Sequence, residues 1–178
     1  GAYYGIQTLR AKENFPISGI TAHPAFLGST IQIKKAAARA NMKLGLLDKK
    51  IGEAIIRAAD EVLAVKWQDQ LSVDIYQAGA GTSHNMNANE VLANRALEIL
   101  GKDKGDYETL SPNDHVNMAQ STNDVIPTVI RMASLTLLLD FLPALHFLQK
   151  ILDKKAKQFD RIIKSGRTHL QDATPMRL

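Results

Sequence analysis

The stretch NDHVNMAQSTND, residues 113–124, runs directly into the apolar segment VIPTVIRMASLTLLL, residues 125–139. Almost every side chain in the first part can donate or accept a hydrogen bond, and the Ser-Thr-Asn-Asp run at its end is typical of the start of a helix. Two interpretations follow. The segment is either a solvated connection with a good helix cap, or a polar site held rigidly by the helix that it opens.

Composition favours a mainly α globular protein. Hydrophobic residues make up 45% of the 178-residue chain, which is ample for a core, whereas aromatic residues make up only 6%. Cysteine is absent. This excludes a disulfide framework and a thiolate metal site, and it indicates a cytoplasmic location.

The charge pattern argues against a nucleic-acid surface. The formal net charge is +4, but the lysine pairs are scattered, at Lys34–Lys35, Lys49–Lys50 and Lys154–Lys155, without interleaved aromatic residues. We interpret each pair as part of a solvated helix face. Asp140 and Pro143 interrupt the most apolar region, so we expect no membrane-spanning stretch.

The spacing of apolar residues predicts most of the chain as helix. Predicted helices cover residues 26–46, 48–67 with Asp48 as N-cap, 85–100 before the C-terminal stop Gly101, and 125–163 with a break at Asp140 and Pro143. Residues 71–76 alternate well enough for a short strand. Residues 1–24 show no helical period and predict an extended arm, and the tail from residue 164 is polar and irregular.

The segment 125–163 is apolar over more of its circumference than a surface helix needs. Helices of this kind are normally packed on several sides. We therefore expect the protein to assemble with other copies of itself through these helices.

Three polar patches stand out, at residues 79–89, 120–124 and 166–172. The first two place hydroxyl side chains beside the backbone N–H groups of a helix start, which suits carboxylate or phosphate oxygens, and the third adds Arg167 and His169. Together they suit a small molecule with two negative ends. Structural alternatives remain: a tight turn explains Gly79-Ala80-Gly81, an ordinary N-cap explains residues 121–123, and a structural role explains His169. No histidine has metal-ligand spacing, so no metal site is predicted.

Longer motifs across the same patches carry a family resemblance. The motifs QAGAGTSHNMNANE (residues 77–90), PNDHVN with QSTND (112–117 and 120–124) and GRTHLQDA (166–173) resemble conserved regions of the aspartase/class II fumarase family. GIQTLRA with ENF (5–11 and 13–15) resembles its N-terminal region. The resemblance implies a mainly α fold, with an N-terminal helical domain over residues 1–122 and the truncated beginning of a long-helix central bundle over residues 123–178.

The same resemblance implies a lyase that acts on a small dicarboxylate. Such proteins form homotetramers in which each active site is built from three subunits. Thr82 and Ser111 favour the branch that eliminates ammonia from L-aspartate to give fumarate. The alternatives are the class II fumarases, which interconvert fumarate and malate, and a non-catalytic helical assembly module. No cofactor is implied, and activation by Mg²⁺ is left open.

The resemblance also assigns roles to individual residues. Abstraction of a proton next to a carboxylate gives a dianion, so catalysis needs a base on one side and dense hydrogen-bond donors on the other. Thr82, Ser121 and Thr122 would hold the carboxylate that gains charge, and Ser83 and Asn123 would also bind substrate. Thr168 and the catalytic residue His169 would orient the amino end and the other carboxylate.

Two departures from the family pattern affect these expectations. Relatives continue beyond residue 178 into further bundle helices and a mobile loop that carries a serine base and a lysine, so we expect the 178-residue chain alone to bind substrate without turning it over. His84 stands where relatives usually have an aliphatic residue. It alters either the packing near the first patch or the contact with substrate.

Overall fold

The computed structural model describes residues 1–64, 66 and 68–178, and it confirms the mainly α fold. The described helices are α1 (Ile6–Asn14), α2 (Pro24–Lys43), α3 (Lys49–Leu63), α4 (Thr82–Ile99) and α5 (Thr122–Phe159). A 3₁₀ turn covers Gln68–Gln70, and a short π-helical segment covers Pro112–Val116. The strands β1 (Ile163–Thr168) and β2 (Gln171–Arg177) form an antiparallel hairpin.

The chain divides into two compact units, Gly1–Leu135 and Thr136–Leu178. The first contains α1 to α4 and the beginning of α5. The second contains the rest of α5 and the hairpin. The domain boundary proposed from the sequence, after residue 122, falls at the start of α5 and stays a prediction.

The core of the first unit forms where α2, α3 and α4 pack together. On α3 the completely buried residues Ile55, Ala58 and Ala59 follow helical spacing, and they pack with Val91 and Leu92 of α4 in one cluster. Burying one large aliphatic side chain contributes roughly 1.5–3 kcal/mol, so this cluster is the main stabilising feature of the unit.

The cap predicted at the start of α3 is confirmed. The Asp48 carboxylate accepts hydrogen bonds from the backbone N–H groups of Lys50 and Ile51 at 2.9 and 3.1 Å. The predicted end of this helix near Trp67 lies outside the described residues.

The prediction of a helix-free N-terminal arm is wrong, because residues 6–14 form α1. The arm is held by a polar stripe on α4, in which Glu90, Asn94 and Glu98 recur at helical spacing. Glu90 binds the first turn of α1, Asn94 donates to the Tyr3 carbonyl, and Glu98 accepts from the Tyr3 hydroxyl. A short helix gains little stability from its own sequence, so a distant partner decides whether it forms.

The predicted strand over residues 71–76 is also wrong. The backbone there makes one isolated bridge, between Thr21 and Asp74. The Asp74 carboxylate accepts hydrogen bonds from the backbone N–H groups of Ser18, Gly19 and Tyr76. A side chain therefore replaces the hydrogen-bonding partners that a neighbouring strand would supply.

Helix α5 continues through Asp140 and Pro143, so the predicted break is wrong. Proline removes one backbone donor, but the remaining hydrogen bonds carry the helix through all 38 residues. Among the described residues, α5 is the one helix that is long and apolar enough to cross a membrane, judged by length and composition alone. The sequence had led us to expect no such stretch. The core helix of a soluble protein meets the same criterion.

The tail, predicted to be irregular, forms the hairpin of β1 and β2. Its two-residue turn is His169–Leu170, with φ of 50° and 60°. Positive φ at both central residues matches the twist of the flanking strands, and this is why such turns close hairpins. The sequence pattern does not predict this turn, because asparagine and glycine are the usual residues there.

Candidate active site

The first predicted patch lies at the start of α4. Thr82 and Ser83 are the first two residues of this helix, and Gly81 before them has φ of +90° and no side chain to cap it. The backbone N–H of His84 is bound by the Gln77 side-chain oxygen. The start of α4 therefore presents hydroxyl groups where the helix dipole favours an anion.

The second patch lies at the start of α5, and its predicted N-cap is confirmed. The Ser121 hydroxyl oxygen accepts from the Asn123 N–H at 3.2 Å, and the Ser121 carbonyl accepts from Val125 N–H at 2.9 Å. Ser121 also lines a shallow cleft together with Asp114 and Asp124. These carboxylates disfavour an anion, so a bound carboxylate needs positive charge from elsewhere.

The two helix starts are joined by side chains and by close packing. The Asn85 amide nitrogen, one turn into α4, donates to Thr122 Oγ1 at 3.2 Å and to Asn117 Oδ1 at 3.1 Å. A Cβ on Gly81 would lie 2.7 Å from Cγ1 of Ile126. The structure thus brings the first and second patches together, although they are 40 residues apart in the chain.

A cleft of about 300 Å³ opens beside Thr82 and Ser83. Its other wall comes from α1 and includes the exposed guanidinium-bearing residue Arg10, with Gln7 and Asn14. Sequence reasoning did not place Arg10 in the site, although the residue lies within the N-terminal motif. Arg10 reaches the cleft only because α1 is fastened to α4.

Lys34 was interpreted as part of a solvated helix face, and this is wrong. The residue is completely buried in α2, and its ammonium group donates to Asn117 Oδ1 at 2.8 Å. Burial lowers the pKa of Lys34 to about 7. The sequence-based prediction of the site left out three residues of this cluster: Asn85, Asn117 and Lys34. The family motifs contain the two asparagines but not Lys34.

His84 belongs to the packing between α4 and α2. Its ring is 2% exposed and lies edge-on to Phe26, with 4.8 Å between centroids. Thr30 Oγ1 donates to the Phe26 carbonyl, so the 2.9 Å contact between Thr30 and His84 Nε2 assigns the proton of that bond to the imidazole. Burial, with the positive charge of Lys34, lowers the His84 pKa to about 4. His84 is therefore neutral at neutral pH.

The third patch lies in the second unit. Thr168 ends β1, and His169 is the first residue of the turn, exposed and at φ of 50°. A residue other than glycine with a positive φ costs about 1 kcal/mol, and backbone strain of this kind is concentrated at functional sites. Within the first unit, then, the structure brings together the two helix starts, one with Thr82 and Ser83 and the other with Ser121, Thr122 and Asn123, although Thr82 and Ser121 line different clefts. Thr168 and His169 lie on the hairpin of the second unit.

Comparison with known proteins shows which family the chain belongs to. A family model described as lyase matches residues 1–178. Aspartate ammonia-lyase of Bacillus subtilis is 58% identical over 176 residues, which are 99% of this chain and 37% of that protein. The chain belongs to the aspartase/class II fumarase family of lyases.

Two further relatives show how broad the similarity is. A class II fumarate hydratase of Halobacterium salinarum is 57% identical over 178 residues, which cover 99% of this chain and 38% of that protein. The crystal structure of a Brucella melitensis protein described as fumarate lyase:delta crystallin superposes with a TM-score of 0.84 at 51% identity, covering 99% of this chain and 42% of that one. The chain thus spans about two fifths of the length of its relatives.

Proposed function

We propose that this chain is part of a lyase that eliminates ammonia from L-aspartate to give fumarate. The observation that carries the proposal is the junction of two helix starts, in which Asn85 of α4 donates to Thr122 of α5. The junction gathers hydroxyl groups and helix-end N–H groups, which are the donors that a carboxylate with growing negative charge requires.

The proposed chemistry assigns one task to this junction. When a base removes the proton next to a carboxylate, that carboxylate becomes a dianion, and Thr82, Ser121 and Thr122 donate hydrogen bonds to its oxygens. Ser83 and Asn123 add contacts at the same two helix starts. Interactions that strengthen as the charge develops lower the barrier, whereas equally strong binding of substrate alone does not.

Thr168 and the catalytic residue His169 take the other end of the substrate in this proposal. The exposed turn leaves the His169 imidazole accessible, and its strained backbone is consistent with a function that outweighs the local cost. These residues would orient the amino group and the second carboxylate.

A second candidate is fumarate hydration, because overall identity does not separate the two activities. The Bacillus subtilis aspartate ammonia-lyase and the Halobacterium salinarum fumarate hydratase are 58% and 57% identical to this chain. By the family resemblance, Ser111 favours ammonia elimination. Here its hydroxyl caps the segment before the second patch, by accepting from the N–H groups of Asn113 and Asp114.

The test is a Ser121→Ala variant of the complete protein. Fumarate formation is followed by its absorbance, with L-aspartate and then L-malate as substrate. We expect aspartate turnover to fall at least a hundredfold, as for the loss of one donor to a developing oxyanion. Ser134→Ala, an exposed serine of the same helix, is the matched control and should behave like wild type. Unchanged turnover in Ser121→Ala would show that Ser121 is not part of the site. If the wild-type protein converts malate but not aspartate, the activity is that of a fumarate hydratase.

The assembly proposed is a homotetramer. Within the second unit the α5 residues Leu138, Phe141, Leu145 and Leu148 are all exposed, which is unusual for a folded monomer. We propose that other copies of the chain cover these apolar side chains. Sedimentation of the complete protein at the mass of a monomer would contradict this. The cytoplasmic location and the absence of a required cofactor stay predictions.

A further inference from the structure

A buried lysine, whose pKa is lowered to about 7 by burial, lies beneath the start of α5. Lys34 is 0% exposed, and among the described residues no carboxylate lies within ion-pair distance of its ammonium group. Removing an ammonium ion from water without a counter-ion costs several kcal/mol, and an apolar side chain of similar length would avoid this cost. The lysine therefore needs an explanation beyond packing.

The one side-chain hydrogen bond of Lys34 among the described residues begins a chain of bonds that leads to the candidate site. Lys34 Nζ donates to Asn117 Oδ1 at 2.8 Å, and the same oxygen accepts from Asn85 Nδ2 at 3.1 Å. Asn85 Nδ2 also donates to Thr122 Oγ1 at 3.2 Å. Three successive hydrogen bonds thus connect the buried ammonium group to the first residue of α5.

The same lysine restrains the turn that leads into α5. Asn117 Nδ2 donates to the Gln120 carbonyl at 3.1 Å, across a turn in which Ala119 has φ of 56°. The orientation of the Asn117 amide is set by Lys34, because only the amide oxygen can accept from an ammonium group. Fixing this amide fixes both the turn and the hydrogen-bond direction of Asn85.

Among the described residues no negative charge compensates the protonated form of Lys34, which is partly populated at neutral pH because burial lowers the pKa of Lys34 to about 7. His84, which is coupled electrostatically to Lys34, is neutral at neutral pH because burial and the lysine itself lower its pKa to about 4. The Asn85 oxygen is buried and has no hydrogen-bond partner. A carboxylate at Ser121 and Thr122 would balance the ammonium charge, and the ammonium charge would offset the repulsion of that carboxylate by Asp114 and Asp124.

We propose that Lys34 is a positioning residue for the carboxylate site: it orients Asn117 and Asn85 at the start of α5, and its unbalanced charge favours an anion beside Ser121 and Thr122. This inference rests on the proposed function and extends it to a residue that does not touch the substrate. An uncompensated charge in a region of low dielectric acts over several ångströms, so direct contact is not required.

The test is Lys34→Met in the complete protein, which removes the charge and keeps a side chain of similar length. The probe is succinate, an unreactive dicarboxylate, and its Kd is measured by calorimetry. We expect succinate to bind at least tenfold more weakly, while Tm without ligand stays unchanged or rises because a buried charge has been removed. Lys35→Met is the matched control, since the neighbouring lysine is partly exposed and paired with Asp60; it should leave the succinate Kd unchanged.

A second variant covers the case in which Lys34→Met folds poorly. Asn117→Asp keeps an oxygen at the position that Lys34 binds and gives the ammonium group a negative partner. It should also weaken succinate binding at least tenfold, because the charge is now balanced within the protein and the bond from Asn117 Nδ2 to the Gln120 carbonyl is lost.

The outcomes separate this inference from the proposed function. Wild-type succinate affinity in Lys34→Met overturns the inference, and so does a lower Tm in Lys34→Met combined with wild-type affinity in Asn117→Asp, which would mean a structural role only. If the wild-type protein binds neither succinate nor aspartate, the proposed function fails and the inference fails with it. Weaker binding in both variants, with Lys35→Met unchanged, supports the inference.

Discussion

Glu90 is the residue on which the position of α1 depends. Its buried carboxylate, 2% exposed, accepts from the N–H groups of Gly5, Gln7 and Thr8 at 2.9, 2.9 and 3.0 Å, and from the Thr8 hydroxyl at 2.6 Å. It therefore caps α1 from a helix more than 80 residues further along the chain. Replacing Glu90 should release α1, and with it Arg10 at the cleft beside Thr82.

The size of the effect follows from the hydrogen bonds of each oxygen. Oε2 accepts three of the four, and Oε1 accepts the one from Gln7. In Glu90→Gln the amide oxygen can replace Oε2, but the amide nitrogen then faces the Gln7 N–H and leaves a donor unsatisfied. One unsatisfied buried donor costs about 1–3 kcal/mol. Glu90→Ala removes both acceptor oxygens with all four hydrogen bonds and leaves a cavity, so we expect a loss of stability of about 3–5 kcal/mol.

Native-state hydrogen exchange of the complete protein measures this locally. A loss of about 2 kcal/mol corresponds to roughly 30-fold faster exchange of the Gln7 and Thr8 amides in Glu90→Gln, without a similar change in the α3 amides. The control is Glu53→Gln, an exposed carboxylate 3.8 Å from Lys49, which should leave α1 exchange unchanged. Exchange of Gln7 and Thr8 within threefold of wild type in Glu90→Gln would refute the reasoning.

Two further predictions concern the junction and its pH dependence. Gly81→Ala should destabilise the protein by about 2–4 kcal/mol, because it combines backbone strain with a clash against Ile126. Gly105 also has φ of +90° but open space around it, so Gly105→Ala should cost only about 1 kcal/mol. Equal Tm values for the two variants would contradict the packing argument. His84 has a pKa of about 4 in the folded protein and 6.5 when unfolded, so the unfolded state binds more protons between these values and stability is lost as pH falls through this window. At pH 5 this amounts to about 2 kcal/mol relative to pH 7, and His84→Leu should show a correspondingly smaller fall in Tm over this interval, whereas identical pH profiles would exclude a buried neutral His84.

Sequence patterns predicted the parts of the fold that depend on neighbouring residues. The amphipathic stripe and Asp48 cap of α3 depend on residues within a few positions of one another, and so does the Ser121 cap of α5. The polar pattern placed Thr82, Ser121 and Thr122 just before helices predicted from residues 85 and 125; in the structure both helices begin three residues earlier, at Thr82 and Thr122. Such features are readable because the interacting groups are close in the chain.

The predictions that failed depend on distant partners. The N-terminal arm lacks a helical period, yet Glu90 caps it as α1. Lys34 resembles any surface lysine in the sequence, and only the packing of α2 against α4 and the segment around Asn117 buries it. The run over residues 71–76 alternates like a strand, but the Asp74 carboxylate satisfies the surrounding backbone instead.

By itself, the sequence determined that this protein is mainly α, which family it belongs to, and which hydroxyl residues open α4 and α5. Only the tertiary structure decided that those two helix starts meet through Asn85 and Thr122, and that a buried ammonium group lies beneath them. The physical reason is that capping and periodicity act over a few residues, whereas the burial of a charge and the direction of an amide are set by groups up to 83 residues apart.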